Sequence, residues 1–328
     1  AFEGTPWLNN RMQTEDFVII NDILYRHGTK TSGDIVIPDG VTIIGIDAFA
    51  SCKDLTSVSI PDGVTTIDWG AFEGCNNLSS VTIPECVTSI DYYAFEGCSS
   101  LTSIKLPSGI SSIEGGTFKS CSSLTAIDIP DNVTRIGYSA FEDCSNLETI
   151  NIPSGVTEIV KNAFNGTPYL TNQLKSNDFL IINGILLDIS ENVSGDVTIP
   201  DNVTKIGDEV FKESTWEDSD HKLTSITLPD TITEIGSWAF GDCANLASIN
   251  IPDKVTTIGS CAFAGCSSLT SITLPDGIEK ISSDCFNRCS GLTSITIPTS
   301  VTYIDYNALA DCSKLTTLSI PNSVTTIE

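Results

Sequence analysis

Histidines, cysteines, carboxylates and aromatic rings are the side chains of this sequence that could do chemistry, and their spacing decides which chemistry is open. Only two histidines occur, His27 and His221, and no nucleophile motif stands near either. No Walker loop and no G-x-G-x-x-G stretch is present to cradle a phosphate. Cys261, Cys266, Cys285 and Cys289 have the outline of a zinc site, C-x4-C followed by C-x3-C. Asp39, Asp62, Asp131, Asp201, Asp230, Asp253 and Asp276 each follow a proline, and a stacked column of such carboxylates would offer calcium its oxygen ligands. The last candidates are Trp69, Tyr92, Tyr93, Tyr138, Trp216, Trp238 and Tyr306, whose rings suit protein contacts or stacking on sugar rings.

Whether any of these converge depends on a repeat. Pro38, Pro61, Pro84, Pro107, Pro130 and Pro153 lie 23 residues apart, and Pro229, Pro252, Pro275, Pro298 and Pro321 keep the same step after Pro200. Nine of the twelve cysteines follow it too: Cys52, Cys75, Cys98, Cys121, Cys144, then Cys243, Cys266, Cys289 and Cys312. The shared phrase is C-x-x-L-T-x-I-x-I-P-x-x-V-T-x-I-x-x-x-A-F. In Leu269-Thr270-Ser271-Ile272-Thr273-Leu274 the alternation suits a short strand with Ile272 and Leu274 inward. Pro275-Asp276-Gly277 then turns the chain, and Ala262-Phe263 fills a corner of the preceding repeat. One such turn cannot enclose a core, but a stack of them can. The expected fold is a β-rich solenoid: a leucine-rich-repeat right-handed superhelix of about thirteen 23-residue turns, carrying a stacked parallel β-sheet and interrupted by two β-hairpin units. At about 4.8 Å per turn it would be roughly 60 Å long.

The repeat disposes of most of the chemistry. The nine periodic cysteines share one inward position, where cysteine acts as a small buried hydrophobe and parallel side-chain vectors disfavour bridging. They are expected to be reduced. Cys266 and Cys289 face inward, Cys261 sits in a variable slot and Cys285 replaces the usual alanine, so the four should not converge on zinc. A Cys261–Cys285 disulfide stays open, as does the state of Cys86. Pro-Asp is ordinary turn chemistry. No metal, cofactor or catalytic group is expected.

The phrase resembles the BspA-type leucine-rich repeats of bacterial surface proteins over nearly the whole chain. That resemblance implies a secreted or surface-attached protein, since some members serve as adhesins for host proteins or other bacteria. It implies no ligand and no catalytic motif. The first residues, Ala1-Phe2-Glu3-Gly4, and the last, Ile327-Glu328, fall in mid-phrase. The sequence is therefore expected to be an excerpt, with signal and anchor segments outside it.

Three segments break the rhythm. Residues 1–27 and 163–188 are copies offset by 162 positions. In the second, Phe179-Leu180-Ile181-Ile182 and Ile185-Leu186-Leu187 flank Asn183-Gly184, a two-residue hairpin turn, and Asn21-Asp22 is its weaker counterpart. The expected organisation is one solenoid over residues 1–328: a hairpin-containing unit (1–40), regular repeats (41–162), a second hairpin-containing unit (163–200), and regular repeats (201–328). The last block carries a loop insertion near residues 212–222, where Ser214 replaces the periodic cysteine and Trp216 and His221 sit among acidic residues. Each irregularity reads either as a spacer or tolerated loop, or as a binding protrusion.

Outward positions of the main strands form a flat Ser/Thr surface relieved by Lys105, Asp128 and Asn151, poor material for a tight contact. The two-residue slot before each Ala-Phe is richer. It holds Trp69, Tyr92 with Tyr93, Tyr138, Trp238 and Tyr306. These rings either bind a partner or lie flat over their own turns.

Lys plus Arg number 16 against 42 Asp plus Glu, a net charge of −26, which repels nucleic acid and anionic lipid. No apolar run approaches the roughly 20 residues needed to span a bilayer. The expectation is an extracellular or cell-surface monomer, inserted in no membrane, that presents a scaffold for adhesion to a protein or glycan. A stalk for another module and a glycan-binding module are the alternatives.

Overall fold

In the computed structural model, residues 2–212 and 223–328 are described. The chain divides into two compact units, Ala1–Asn172 and Gln173–Glu328. Each is a stack of parallel-paired turns, as the 23-residue step requires.

Within a unit, most regular turns contribute to two ladders. The first is built from the L-T-x-I-x-I stretch: Gly33–Val36, Leu55–Ser59 and Ser80–Thr82 pair in parallel, with Ser57 opposite Ser80 and Val58 opposite Val81. The second uses V-T-x-I: Ile43–Ile44, Thr66–Ile67 and Ser89–Ile90 pair likewise. Inward residues of both ladders (Leu55, Val58, Ile60, Val64 and Ile67 in one turn) are buried. Along residues 226–228, Ile226 and Leu228 are buried and Thr227 between them is exposed, the period-2 pattern that such strands impose.

The third side of each turn is a corner held by two residues in the left-handed backbone region. One precedes the alanine, as at Asp47, Ser139, Asn162 and Asn307. The other precedes the cysteine, as at Ser51, Ser120 and Asp143. Between them the phenylalanines form a buried column. Phe49, Phe72, Phe95, Phe118, Phe141 and Phe164 stack with ring centroids 5.1 to 6.0 Å apart and planes within 10°. Phe211, Phe240, Phe263 and Phe286 repeat this in the second unit. His27 heads the first column, stacked on Phe49 at 5.8 Å and 6°, so this histidine fills a phenylalanine position.

Beside the rings runs a thiol column. Cys75 Sγ donates to the Phe49 carbonyl at 3.1 Å, Cys98 to Phe72 at 3.2 Å, and the pattern continues through Cys289 onto Phe263. All twelve cysteines are free thiols. Burial pushes the Cys75 and Cys144 thiols up to about 12, so they stay protonated and able to donate.

Both hairpins form as the turn residues dictate. Phe179–Ile182 pairs antiparallel with Ile185–Ile189 through Asn183 (φ 50°) and Gly184 (φ 81°). Phe17–Ile20 and Ile23–His27 pair through Asn21 and Asp22. The second strand of each hairpin then starts the second ladder. Two helices went unread in the sequence, Pro6–Thr14 and Pro168–Ser176. Each follows a threonine whose hydroxyl caps the first turn, Thr5 accepting from Leu8 N–H and Thr167 from Leu170 N–H, with proline at the first helical position. No helix among the described residues is long and apolar enough to cross a membrane.

Trp216, His221 and Ser214 lie outside the described residues. The expansion that contains them does not disturb the stack. Lys205 pairs with Glu234 and Asp196 with Ser225 across 29 residues in place of 23. Cys243 still reaches the Phe211 carbonyl at 3.0 Å, across 32 residues in place of 26.

Each unit has a seam. In the first, the second ladder breaks between Ser89–Ile90 and Ser112–Ile113, and residues 101–106 join no strand of the first ladder. In the second, both ladders break between the turns of Ser248–Ile249 and Ser271–Thr273. There Asn250 bonds the Leu228 backbone through its side chain, accepting at 2.9 Å and donating at 3.0 Å. A cavity of about 570 Å³ opens at the first seam, lined by Glu85, Lys105, Asp128 and Asn132 among others.

Candidate functional site

The slot before each Ala-Phe is a geometric position with two distinct places. Its first residue sits at the exposed corner; its second is the left-handed residue described above. Trp69, Tyr92, Tyr138 and Tyr306 occupy the first place, Tyr93 (φ 58°) and Trp238 (φ 55°) the second. A bulky side chain in that region costs about 1–2 kcal/mol against glycine, so those two positions hold aromatics against backbone preference. The aspartate before the slot helps fix it. Asp68 Oδ1 accepts from Trp69 N–H at 2.8 Å, Asp91 from Tyr92 N–H at 2.7 Å, and Asp305 from Tyr306 N–H at 2.8 Å.

Four of the aromatics form one patch in the first unit. Trp69 and Tyr93 meet edge-on with centroids 5.7 Å apart. Tyr93 meets Tyr138 at 6.2 Å, and Tyr92 meets Tyr138 at 6.1 Å. The intervening turn makes this possible because its slot is Gly115-Gly116. A Cβ on Gly116 would collide with the Tyr93 ring, and one on Gly115 with the Tyr138 ring. The two tyrosines lean over that gap from both sides, and their hydroxyls share a 2.7 Å hydrogen bond. That bond braces the turn that has let go of the second ladder. It also holds the Tyr93 hydroxyl up at about 12, because the neutral phenol is the form it favours. Glu114 raises Tyr92 mainly by its charge, and is itself engaged by Arg135 at 3.2 Å, which also binds Glu158 at 3.0 Å.

The patch remains open to solvent. Trp69 and Tyr138 are each 40% exposed, while Tyr92 and Tyr93 are half-buried. Along its flank lie Asp47, Glu73 and Glu96 on successive turns. Burial pushes all three carboxyls up, and Asp47 adds to the effect on Glu73 as Glu73 does on Glu96. The unit-two aromatics do not join a patch. Trp238 lies against its own Gly241 with Lys212 Nζ 4.2 Å from the ring centre. Tyr306 is 60% exposed and, among the described residues, stacks with no other ring.

Sequence reasoning missed a second aromatic group, Phe2, Trp7 and Tyr25, with Phe2 5.0 Å from Trp7 and 5.7 Å from Tyr25. Trp7 lies on the unread helix and Tyr25 in the hairpin, so neither follows the 23-residue step. The Thr5-Pro6 capping pair was the available signal.

Cys266 and Cys289 are buried donors to the Phe240 and Phe263 carbonyls, Cys285 is buried and Cys261 half-exposed. Among the described residues, no three His, Cys, Asp or Glu side chains gather closely enough to hold a metal ion.

Parallel turns of 23 residues, a leucine-lined first ladder and a phenylalanine corner define a class, the leucine-rich-repeat solenoid. The pattern for the BspA type leucine rich repeat region matches in six copies, over residues 19–144, 112–220 and 216–328. The chain belongs to that family, whose members are repeat scaffolds without catalytic function. Among solved structures, a leucine rich cell surface protein from Faecalibacterium prausnitzii A2-165 is 28% identical over 95% of this chain and 92% of its own, with a TM-score of 0.48. Leucine-rich repeat proteins from Bacteroides ovatus (24% identity; 92% of this chain, 93% of that one; TM-score 0.35) and Eubacterium ventriosum (24%; 89% and 80%; 0.43) are similar too. No functionally curated protein matches the chain.

Proposed function

We propose that this protein is a non-catalytic scaffold, secreted or displayed on a bacterial surface, that binds a macromolecular partner through the aromatic corner of its first unit. The observation that carries this reading is the Trp69–Tyr92–Tyr93–Tyr138 patch. Four rings on three turns touch one another, two of them well exposed, and two of the four sites pair an aromatic with a glycine gap that lets it spread. Tryptophan and tyrosine are the residues that carry most binding energy at protein interfaces. An extracellular setting is supported by membership of the BspA-type family, and the acidic composition suits a solvent-facing scaffold. The triple variant Trp69→Ala/Tyr92→Ala/Tyr93→Ala tests it in an adhesion assay on immobilised cells and matrix proteins. Adhesion should fall at least tenfold while the circular dichroism spectrum is retained. Unchanged adhesion would leave the chain a spacer.

A second reading, glycan stacking on the same rings, is favoured by the breadth of the Tyr93–Tyr138 surface. Binding of a neutral oligosaccharide that the triple variant abolishes would select it.

A further inference from the structure

Elsewhere in the chain, four aromatics carry a cation of their own. Arg11 sits over Trp7 at 5.2 Å, Arg26 over Tyr25 at 5.2 Å, Lys212 over Trp238 at 4.2 Å and Lys280 over Tyr303 at 4.9 Å. Trp69 is 40% exposed, and among the described residues no cation stands over its ring, as none stands over Tyr138 or Tyr306. Negative charge is nevertheless assembled beside it. A Cβ placed on the adjacent Gly70 would lie 2.6 Å from Asp47 Oδ1 and 3.1 Å from Glu73 Oε2, so the two carboxylates converge on the backbone next to the indole. Among the described residues neither forms an ion pair within 4 Å, although the charge of Arg26 acts on Asp47. The nearby cations are committed: Arg26 binds Glu3 at 3.2 Å and the Ile46 carbonyl at 2.6 Å, and Lys119 binds Glu142 at 2.8 Å.

We infer that the corner at Trp69 receives a lysine or arginine side chain of a basic partner polypeptide, seated on the indole face beside Asp47 and Glu73. This rests on the aromatic corner being the partner site and names the partner's chemistry. A guanidinium or ammonium gains from the ring quadrupole and from both carboxylates at once. It also relieves a cost the free protein carries, since burial disfavours ionised Asp47, with Arg26 opposing in part, and burial together with the charge of Asp47 disfavours ionised Glu73. A neutral sugar would leave those charges uncompensated, and an anionic glycan would be repelled by them. Two carboxylates alone are too few oxygen ligands for a divalent cation.

The test is fluorescence anisotropy of a labelled hexa-arginine peptide titrated with the full chain, with hexa-glutamate as the control. Wild type should bind hexa-arginine only, more weakly as salt rises. Trp69→Ala should weaken binding roughly fivefold, the equivalent of one exposed cation–π contact. Asp47→Asn/Glu73→Gln should weaken it at least as much. Asp253→Asn/Asp276→Asn, which removes the same charge from proline turns of the second unit, should change it less than about twofold. The inference is overturned if Trp69→Ala binds like wild type, or if the second-unit variant loses as much as the Asp47/Glu73 variant. Calcium binding that depends on Asp47 and Glu73 would also overturn it, in favour of a metal site. If hexa-arginine fails while adhesion still needs Trp69, Tyr92 and Tyr93, only the partner's chemistry is wrong; if both fail, the site itself is.

Discussion

Gly116→Ala probes how the aromatic corner is built, and its cost can be worked in parts. Gly116 has φ +65°, so alanine there pays about 1–2 kcal/mol for the left-handed backbone alone. The new Cβ also collides with the Tyr93 ring, which must swing away. That breaks the exposed Tyr93–Tyr138 hydroxyl bond, worth about 0.5–1 kcal/mol net, and one or two edge contacts worth about 0.5 kcal/mol each. The total is about 2–4 kcal/mol. Gly97 provides the control, because it has φ +68° but its added Cβ would meet only Gly74, at an ordinary 3.5 Å. Gly97→Ala should therefore cost the backbone part and nothing more. Urea unfolding of both variants measures the difference, expected to be about 1–2 kcal/mol. A spectrophotometric tyrosine titration supplies a second readout, since Tyr93, held at about 12, should fall back toward 10 in Gly116→Ala and not in Gly97→Ala. Equal costs for the two variants, with an unchanged titration, would refute the clasp of Tyr93 and Tyr138 over the glycine gap.

Phe118→Ala should destabilise the first unit by about 3–5 kcal/mol, because its ring is fully buried between Phe95 at 5.7 Å and Phe141 at 5.6 Å; denaturant unfolding with a loss under about 1 kcal/mol would show the column is not packed. A thiol-specific reagent on the native protein should modify only Cys86, Cys261 and Cys312, which are half-exposed, and mass mapping should find the other nine protected until denaturant is added. Glu85 is held down to about 2 by hydrogen bonds from Lys105, at 2.6 Å, and from Ser108. Since this folded value lies below the ordinary 4.5, its contribution is present above pH 4.5 and lost as pH falls toward 2. Glu85→Gln should accordingly flatten the acid limb of a stability-versus-pH curve, slightly, because the pair is exposed.

The stack was legible because two residue types keep the same step, and the hairpin was legible because Asn183-Gly184 can do little else. The slot was visible as a compositional bias at one position of the phrase. What the phrase could not say is where each ring goes, since that depends on the residue 23 positions away. Tyr93 and Tyr138 meet only because Gly115-Gly116 leaves room between them. His27 stacks on Phe49 because a hairpin strand, five residues with no share in the phrase, delivers it to the column. The left-handed corner was hidden by its own variety: Asp47, Ser139, Asn162 and Tyr93 share a conformation, not a residue type. The seams are equally silent in sequence, because Ser103-Ile104-Lys105 reads as a strand like its neighbours.

The thiol-to-carbonyl column carries an implication for how such chains change over time. Eight of the Phe carbonyls receive an S–H from the following turn, so those interfaces between turns are chemically alike. Cutting out one whole turn of 23 residues would rejoin equivalent donors and acceptors without leaving any stranded, whereas a cut of 22 or 24 would misalign them all. The number of turns can thus drift by duplication and loss in whole-turn quanta at little thermodynamic penalty, and the aromatic corner can be carried to a different place in the stack without being rebuilt.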